Sequence, residues 1–350
     1  MSPVRILVCG VLLGAVLCAG CSTAHRRAST RPLPPDWELT PADKSAPPSP
    51  PPAVEPAPAV ARPATGWIPA DTLGPWQRIS AGAPDTYALS TSNGVWCVTV
   101  GSRQAHFDGV QVWLGFAPQL ESGRLLLHAL DVQKNFEPLL RAPMSASAAR
   151  GLIVLDPGHG GRNTGTRSAV DGRWEKEFTL DWAMRLAPLL VARGWRVELT
   201  RTNDTDLSLA ERVEFALRRR ADLFLSLHFN AVHGAGREES GLETYCLTPV
   251  GMPSNLTRGF PDEVGRAFPN NAWDEANLQW AVRVHRALLT VNGGSDRGVR
   301  RARFLGVLRG QNCPAVLVEG GYLSNPAEAR KISDPAYRQQ LAEALAKALE

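Results

Sequence analysis

This sequence of 350 residues has little charge of one sign, few pairable cysteines and no long hydrophobic run. Its 38 Lys and Arg face 34 Asp and Glu, a formal net charge of +4. That excess is too weak to hold a nucleic-acid backbone, so nucleic acid is not expected as a partner. Of six cysteines, Cys9, Cys18 and Cys21 lie in the N-terminal segment, while Cys97, Cys246 and Cys313 are far apart. The latter three supply no C-x-x-C pair of the zinc-ribbon kind. Buried free thiols are the default for them, with one disulfide as the alternative in an oxidising compartment. The apolar stretch from Ile6 to Leu17 is short for a helix that crosses a membrane.

Proline, by contrast, is plentiful and uneven: 12 of 28 fall between Pro32 and Pro63. Such a segment cannot bury a core and favours the polyproline II conformation. Residues 21–65 are therefore expected to form a linker, reaching on the order of 100 Å if about 35 residues extend fully. Residues 1–20 have the form of an export signal: Arg5, the apolar stretch, then small residues before Cys21. Leu17-Cys18-Ala19-Gly20-Cys21 resembles a bacterial lipobox, with Cys18 standing where Leu is usual. The resemblance implies a lipid anchor on Cys21 and, with Ser22 rather than Asp following it, sorting to the outer membrane on the periplasmic side.

Residues 66–145 read as a small α+β domain. Val95 to Val100 is β-rich, Arg103 to Phe107 and Val110 to Leu114 flank an Asp108-Gly109 turn, and Arg124 to His128 is a further strand. Leu130, Phe136, Leu139 and Leu140 suggest a short helix. This stretch resembles the small N-terminal domain of copper amine oxidases, also attached to other wall enzymes. No copper chemistry follows, since His106 and His128 read as ordinary packing or surface residues. Substrate positioning or partner binding is the functional expectation.

Residues 150–350 read as an α/β domain with a mainly parallel sheet flanked by helices, because strand and helix patterns alternate. Leu152 to Leu155 is an apolar strand stopped by Pro157, Gly158, Gly160 and Gly161, which leaves His159 at its carboxyl end. Leu223 to Leu227 ends in His228, and Ala315 to Val318 ends in Glu319. Glu175 opens a helix and shares the face of Phe178 and Trp182. A carboxylate on an apolar face needs a partner, and a metal or the helix end can serve. Pro188 lies inside this helix and Gly194 ends it. Ser208 with Glu211 reads as a capping box, and Asn325, Pro326 and Glu328 as the N-cap, first-turn proline and capping-box partner of another helix. Phe304 to Leu308 reads as a strand. Asp274 to Val291 is helical, with His285 on its packing face.

The segments LDPGHGG, WEKEFTLDWAMRL, LTRTNDTDLSLAERVEFA, LSLHFNA and AVLVEGGYLSNPAEAR, in that order, resemble the zinc-dependent N-acetylmuramoyl-L-alanine amidases of the amidase-3 type. The resemblance covers nearly all of Gly151 to Glu350. It implies one catalytic Zn2+ held by His159, Glu175 and His228, with Glu319 as general base and then general acid. It implies hydrolysis of the amide between N-acetylmuramic acid and L-alanine in peptidoglycan, for wall remodelling or daughter-cell separation. A protein activator is a candidate partner. Asn163, Thr166 and Phe229 depart from the usual motif near the site, and His233 is a minor alternative ligand. In some members an insertion near 249–272 covers the zinc, for which Asp262 and Glu263 are the acidic candidates; a passive loop is the alternative. Rival readings are a zinc peptidase cutting the stem peptide and an inactive, lipid-anchored wall-binding protein.

Overall fold

The computed structural model describes residues 66–80, 85–141, 151–232, 238–257, 259 and 261–350. The expected signal, the cysteine expected to be lipidated, the expected linker, His233 and the boundary expected near residue 150 lie outside the described residues.

In the first half, the strands are β1 (Trp67–Pro69), β2 (Trp76–Arg78), β3 (Thr86–Thr91), β4 (Gly94–Thr99), β5 (Gln104–Phe107), β6 (Val110–Trp113), β7 (Gln119–Glu121) and β8 (Arg124–His128). A helical segment follows, made of α1 (Ala129–Asp131), a π turn at Val132–Phe136 and α2 (Glu137–Leu140). The second half runs β9 (Leu152–Pro157), α3 (Glu175–Val191), β10 (Arg196–Leu199), α4 (Leu209–Arg219), β11 (Leu223–Asn230) and β12 (Leu242–Cys246). It closes with α5 (Asp274–Asn292), β13 (Asp296–Arg301), α6 (Gly306–Arg309), β14 (Ala315–Tyr322), α7 (Pro326–Ser333) and α8 (Pro335–Ala348).

Among the described residues, eleven strands form one sheet in the order β10-β9-β11-β14-β12-β13-β6-β5-β4-β3-β2. The first four are mutually parallel, as the alternation of strand and helix patterns predicts. β12 runs antiparallel to β14 and parallel to β13. β13 then pairs with β6, through Val299 and Val112, so the antiparallel meander β2–β6 extends the sheet of the second half edge to edge. β1, β8 and β7 make a separate antiparallel sheet.

The strand patterns tell the two halves apart. β9, β11 and β14 are buried at every residue, because helices cover both faces. In β5, Gln104 and His106 are exposed while Ala105 and Phe107 are buried, so one face there stays open. The covered face is common to the whole sheet: Trp96, Phe107 and Val112 belong to the same apolar cluster as Leu155, Leu227, Val318, Trp182 and Leu288. The opposite face carries a second cluster, with Val154, Phe224 and Leu317 against Ala216, Leu305 and Leu308.

Local chemistry accounts for the ends. Asp108 and Gly109 both have positive φ, 47° and 79°, as a tight hairpin between β5 and β6 demands. α3 buries Phe178, Trp182, Leu186 and Leu190, keeps Pro188 inside, and stops where Gly194 (φ 87°) and Trp195 donate to Val191 and Leu190. Ser208 and Glu211 form the expected capping box at α4. His285 is buried between Thr244 Oγ1 and Asp296 Oδ1, 2.9 Å from each.

Two expectations are corrected. Phe304 to Leu308 is not a strand; Gly306–Arg309 is helical and Leu305 and Leu308 fill the second cluster. The strand lies earlier, at β13, where the charged run Asp296-Arg297-Gly298-Val299-Arg300-Arg301 has no apolar pattern to announce it. Those charges are partnered inside the fold: Asp296 by His285 of α5, Arg297 by Glu243 of β12, and Arg301 by the carbonyl of Lys134 in the π turn. Glu328 does not complete a capping box. Its carboxylate accepts the backbone N–H groups of Tyr322 (2.7 Å) and Gly241 (3.0 Å), tying the end of β14 to the start of β12.

Candidate metal centre

β9 delivers His159 into a bend that only a glycine-rich sequence permits. His159 itself takes φ 63°, in the left-handed region that non-glycine residues rarely occupy. Two glycines mark how closely the backbone approaches the cluster. A Cβ on Gly158 would stand 2.2 Å from the His228 ring, and one on Gly165 would stand 2.7 Å from Glu175 Oε2. The strained bend is held by two buried arginines. Arg212 Nη2 donates to the His159 carbonyl (2.7 Å), and Arg201 donates to the carbonyls of Pro157 (2.9 Å) and Gly158 (2.8 Å). Asp156 anchors Arg212 at 2.6 Å and accepts from Thr200 and Ser226. Burial alone would raise its pKa, but Arg212 and the hydroxyls hold it below the ordinary value.

The three expected ligands meet. Glu175 Oε1 is 2.9 Å from His159 Nε2 and 3.1 Å from His228 Nδ1, and the two histidine nitrogens are 3.2 Å apart. All three residues are buried. Ligands about 2.0–2.1 Å from a tetrahedral zinc stand about 3.3 Å from one another, close to these separations. The protonation states also suit a cation. Burial opposes charge on Glu175, but His159 and His228 outweigh it and keep the carboxyl ionised, well below its usual pKa. Burial pushes the His228 pKa down, which favours the neutral ligand form. His159 Nδ1 lies 2.8 Å from Asn163 Oδ1; donating there turns the Nε2 lone pair inward. The backbone N–H groups of Phe229 and Thr166 donate to the two Glu175 oxygens, each at 3.0 Å.

Glu319 stands on β14 in register with His228 on β11, so the two side chains leave the same face about 4.8 Å apart along the sheet. It is 3% exposed. On its other side it is in register with Glu243 of β12. Sequence reading passes over Glu243, Asp156, Arg201 and Arg212, which look like ordinary strand and surface charges until the fold buries them. It treats Asn163 only as a departure from a motif, although its spacing of four from His159 within a tight loop is a readable signal.

Other candidates lie elsewhere. Asp262 accepts from Ser254 N (2.7 Å) and is paired with Arg303, and Glu263 pairs with Arg266 at 3.0 Å. His106 is exposed on β5, and His128 stacks on Phe116 with ring centroids 3.7 Å apart. Cys97, Cys246 and Cys313 are free thiols.

Fold and site together define an α/β protein with a buried His–Glu–His cluster suited to one metal ion at the carboxyl ends of parallel strands. The sequence model described as N-acetylmuramoyl-L-alanine amidase, Amidase_3, matches residues 153–350, more than half of the chain, and the chain belongs to that family. N-acetylmuramoyl-L-alanine amidase AmiC of Escherichia coli O6:H1 is 30% identical over 239 residues, covering 61% of this chain and 56% of that protein. N-acetylmuramoyl-L-alanine amidase CwlM of Bacillus licheniformis is 34% identical over 192 residues, covering 54% of this chain and 64% of its own length. The chain thus spans just over half to just under two thirds of these two relatives. A crystal structure of an N-acetylmuramoyl-L-alanine amidase from Clostridium difficile 630 is 30% identical with a TM-score of 0.47, covering 57% of this chain and 95% of that one.

Proposed function

We propose that the protein hydrolyses the amide between N-acetylmuramic acid and L-alanine in peptidoglycan, with one Zn2+ held by His159, Glu175 and His228. The observation that carries this reading is the convergence of those three side chains, with a fourth buried acid, Glu319, in strand register with His228. Zinc, when bound, supplies Lewis acidity toward water and the scissile carbonyl. The chain's own residues do the rest. Asn163 fixes the His159 ring, and Arg201 and Arg212 hold its strained loop in place. Glu319 takes the proton of the attacking water and passes it to the departing nitrogen. Burial excludes bulk water from the ligands and strengthens each electrostatic contact.

The family and the relatives' names support the amidase reaction over stem-peptide cleavage. The N-terminal sequence supports an exported lipoprotein, anchored through Cys21 at the periplasmic side of the outer membrane, with residues 21–65 as the spacer to the wall. Among the described residues no helix is long and apolar enough to cross a membrane. A protein activator remains part of this reading, as does a division into residues 66–145 and 150–350.

The test is digestion of defined muropeptides by the full chain, with mass analysis of the products. Free stem peptide beginning at L-alanine, lost on chelation and restored by Zn2+, is the expected result. Shortened stems still joined to muramic acid would replace the amidase by a peptidase; no product with no metal bound would leave only a wall-binding protein.

A further inference from the structure

The row of side chains that begins at the candidate metal centre does not end at Glu319. Across β14, β12 and β13, Glu319 is in register with Glu243, Tyr245 is in register with Arg300, and Arg300 Nε comes to 3.7 Å from Glu243 Oε1. Glu243 and Tyr245 are two apart on one strand and share a face, which the 2.6 Å bond from Tyr245 Oη to Glu243 Oε2 confirms. His228, Glu319, Glu243 and Arg300 therefore occupy one face of four adjacent strands.

The two arginines of this row differ. Arg297 is committed: it pairs with Glu243 at 2.9 Å and with Glu239 at 2.5 Å. Glu243 is saturated by that contact together with Asn230 Nδ2 (2.7 Å) and Tyr245 Oη. Its pKa is held down to about 2, where burial is outweighed by Arg300, Arg297 and the hydrogen bonds. Arg300 engages only through its Nε, in a 3.2 Å bond to the Arg297 carbonyl and the 3.7 Å ion pair with Glu243, and its side chain is 11% exposed. Its guanidinium lies over the Trp113 ring, 4.6 Å from the centroid. Among the described residues no hydrogen bond or ion pair engages its Nη atoms, and neither is among the buried atoms left without a partner. Trp113 belongs to β6 and is itself fixed by a 2.9 Å bond from Nε1 to the Arg297 carbonyl. The appended meander thus supplies the flat platform on which an arginine of the catalytic sheet rests with its fork open.

We propose that Arg300, stacked on Trp113, is a specificity residue that binds a carboxylate on the peptide side of the scissile amide. The proposal rests on the amidase reading. A planar guanidinium with two open N–H groups matches a carboxylate bidentately. Three strand spacings of about 4.8 Å separate β11 from β13, roughly 14 Å, which an extended peptide covers in about four residues. The arginine's own reach shortens that span. The first residues of a carboxylate-bearing stem peptide therefore come within its range, and Trp113 acts through Arg300 as a positioning residue.

The test uses the zinc-loaded full chain, a muropeptide with free stem carboxylates and the same muropeptide with those carboxylates converted to carboxamides. Arg300→Met is expected to raise KM for the free-carboxylate substrate about tenfold to a hundredfold, with kcat within about twofold. The carboxamide substrate is expected to respond little, and Arg300→Lys to recover part of the loss. Equal losses on both substrates, or no loss on either, would overturn the subsite. If the zinc-loaded wild type turns over neither substrate, it is the reading of an amidase active without an activator that fails. Binding of the free stem peptide then decides the subsite: a carboxylate preference lost in Arg300→Met upholds it, and equal binding by both proteins overturns it.

Discussion

Two buried aspartates hold a turn in each half of the long sheet, and they do it in opposite electrical states. Asp156, at the end of β9, has Arg212 at 2.6 Å and accepts from Thr200 and Ser226. Its pKa lies below the ordinary value although it is wholly buried. Asp131, in the helical segment after β8, accepts from the backbone N–H groups of Gly115 and Phe116 and from Asn135 Nδ2. Burial is its largest influence, the hydrogen bonds and the Arg103 charge do not offset it, and its pKa rises to about 6. A buried charge persists where a partner stands in contact with it, and otherwise moves toward neutrality. The half that carries the candidate metal centre keeps fixed charges, and sets Arg212 against Asp156 and Arg297 against Glu243. The appended half needs only packing, and its buried acid does without a contacting cation.

The sharpest way to test that division is to remove charge from the catalytic half without removing shape. Glu319→Gln keeps volume and strand register and deletes the proton acceptor. Turnover is expected to fall about 10²–10⁴-fold, the usual worth of general acid–base catalysis. Metal content is expected to stay at one ion per chain, because Glu319 is not among the three clustered side chains that could hold it. Loss of metal together with activity, measured by elemental analysis of the purified variant, would move Glu319 from proton transfer to metal retention.

The same contrast explains what the sequence discloses. The three strands that lead to His159, His228 and Glu319 are legible because they are buried on both faces and so read as unbroken apolar runs, although β11 and β14 continue past His228 and Glu319 to Asn230 and Tyr322. The Asp108-Gly109 hairpin is legible because its turn needs two residues of positive φ. β13 is not legible, since its arginines look solvated until Glu243 and the Lys134 carbonyl are brought to them from distant segments. Nor is the joining of the two halves, since it rests on one short register between Val299 and Val112 that no local pattern announces. At the site, the ligands sit at element ends and stand out. Their supports, Asn163, Arg201 and Arg212, take meaning only from the loop they restrain.

The shared core makes a second prediction, smaller in its effect on turnover. Trp96 of β4 is fully buried against Phe107 and Phe136, with centroids 5.2 Å and 4.4 Å away. It belongs to one cluster with the catalytic strands. α5 spans the join, lying against β6 as well as β12, β13 and β14. Trp96→Ala should cost about 3–5 kcal/mol. Thermal unfolding should keep a single transition at lower temperature, with metal released in the same step. Two transitions, the upper one unmoved, would show that the meander folds separately and that continuity of the sheet carries no energy between the halves.

The smallest effect concerns Asp131 and is a matter of slope. Its folded pKa is raised to about 6, against an unfolded value near ~3.9. A raised folded pKa means that the folded state binds the proton more tightly, so this stabilising contribution is complete below pH ~3.9. It is lost as pH rises through about 6. Between those limits Asp131 makes the protein less stable as pH increases, whereas Asp156, with a depressed pKa, acts in the opposite sense at lower pH. Asp131→Asn removes the titration. It also leaves the Phe116 N–H facing an amide in place of a carboxylate oxygen, at a cost of about 1–3 kcal/mol. Urea unfolding at pH 4.5 and pH 7 should therefore show the variant losing more stability, relative to wild type, at the lower pH. A difference equal at both values would mean that Asp131 stays ionised throughout, and that the appended half keeps its buried charge as firmly as the catalytic half does.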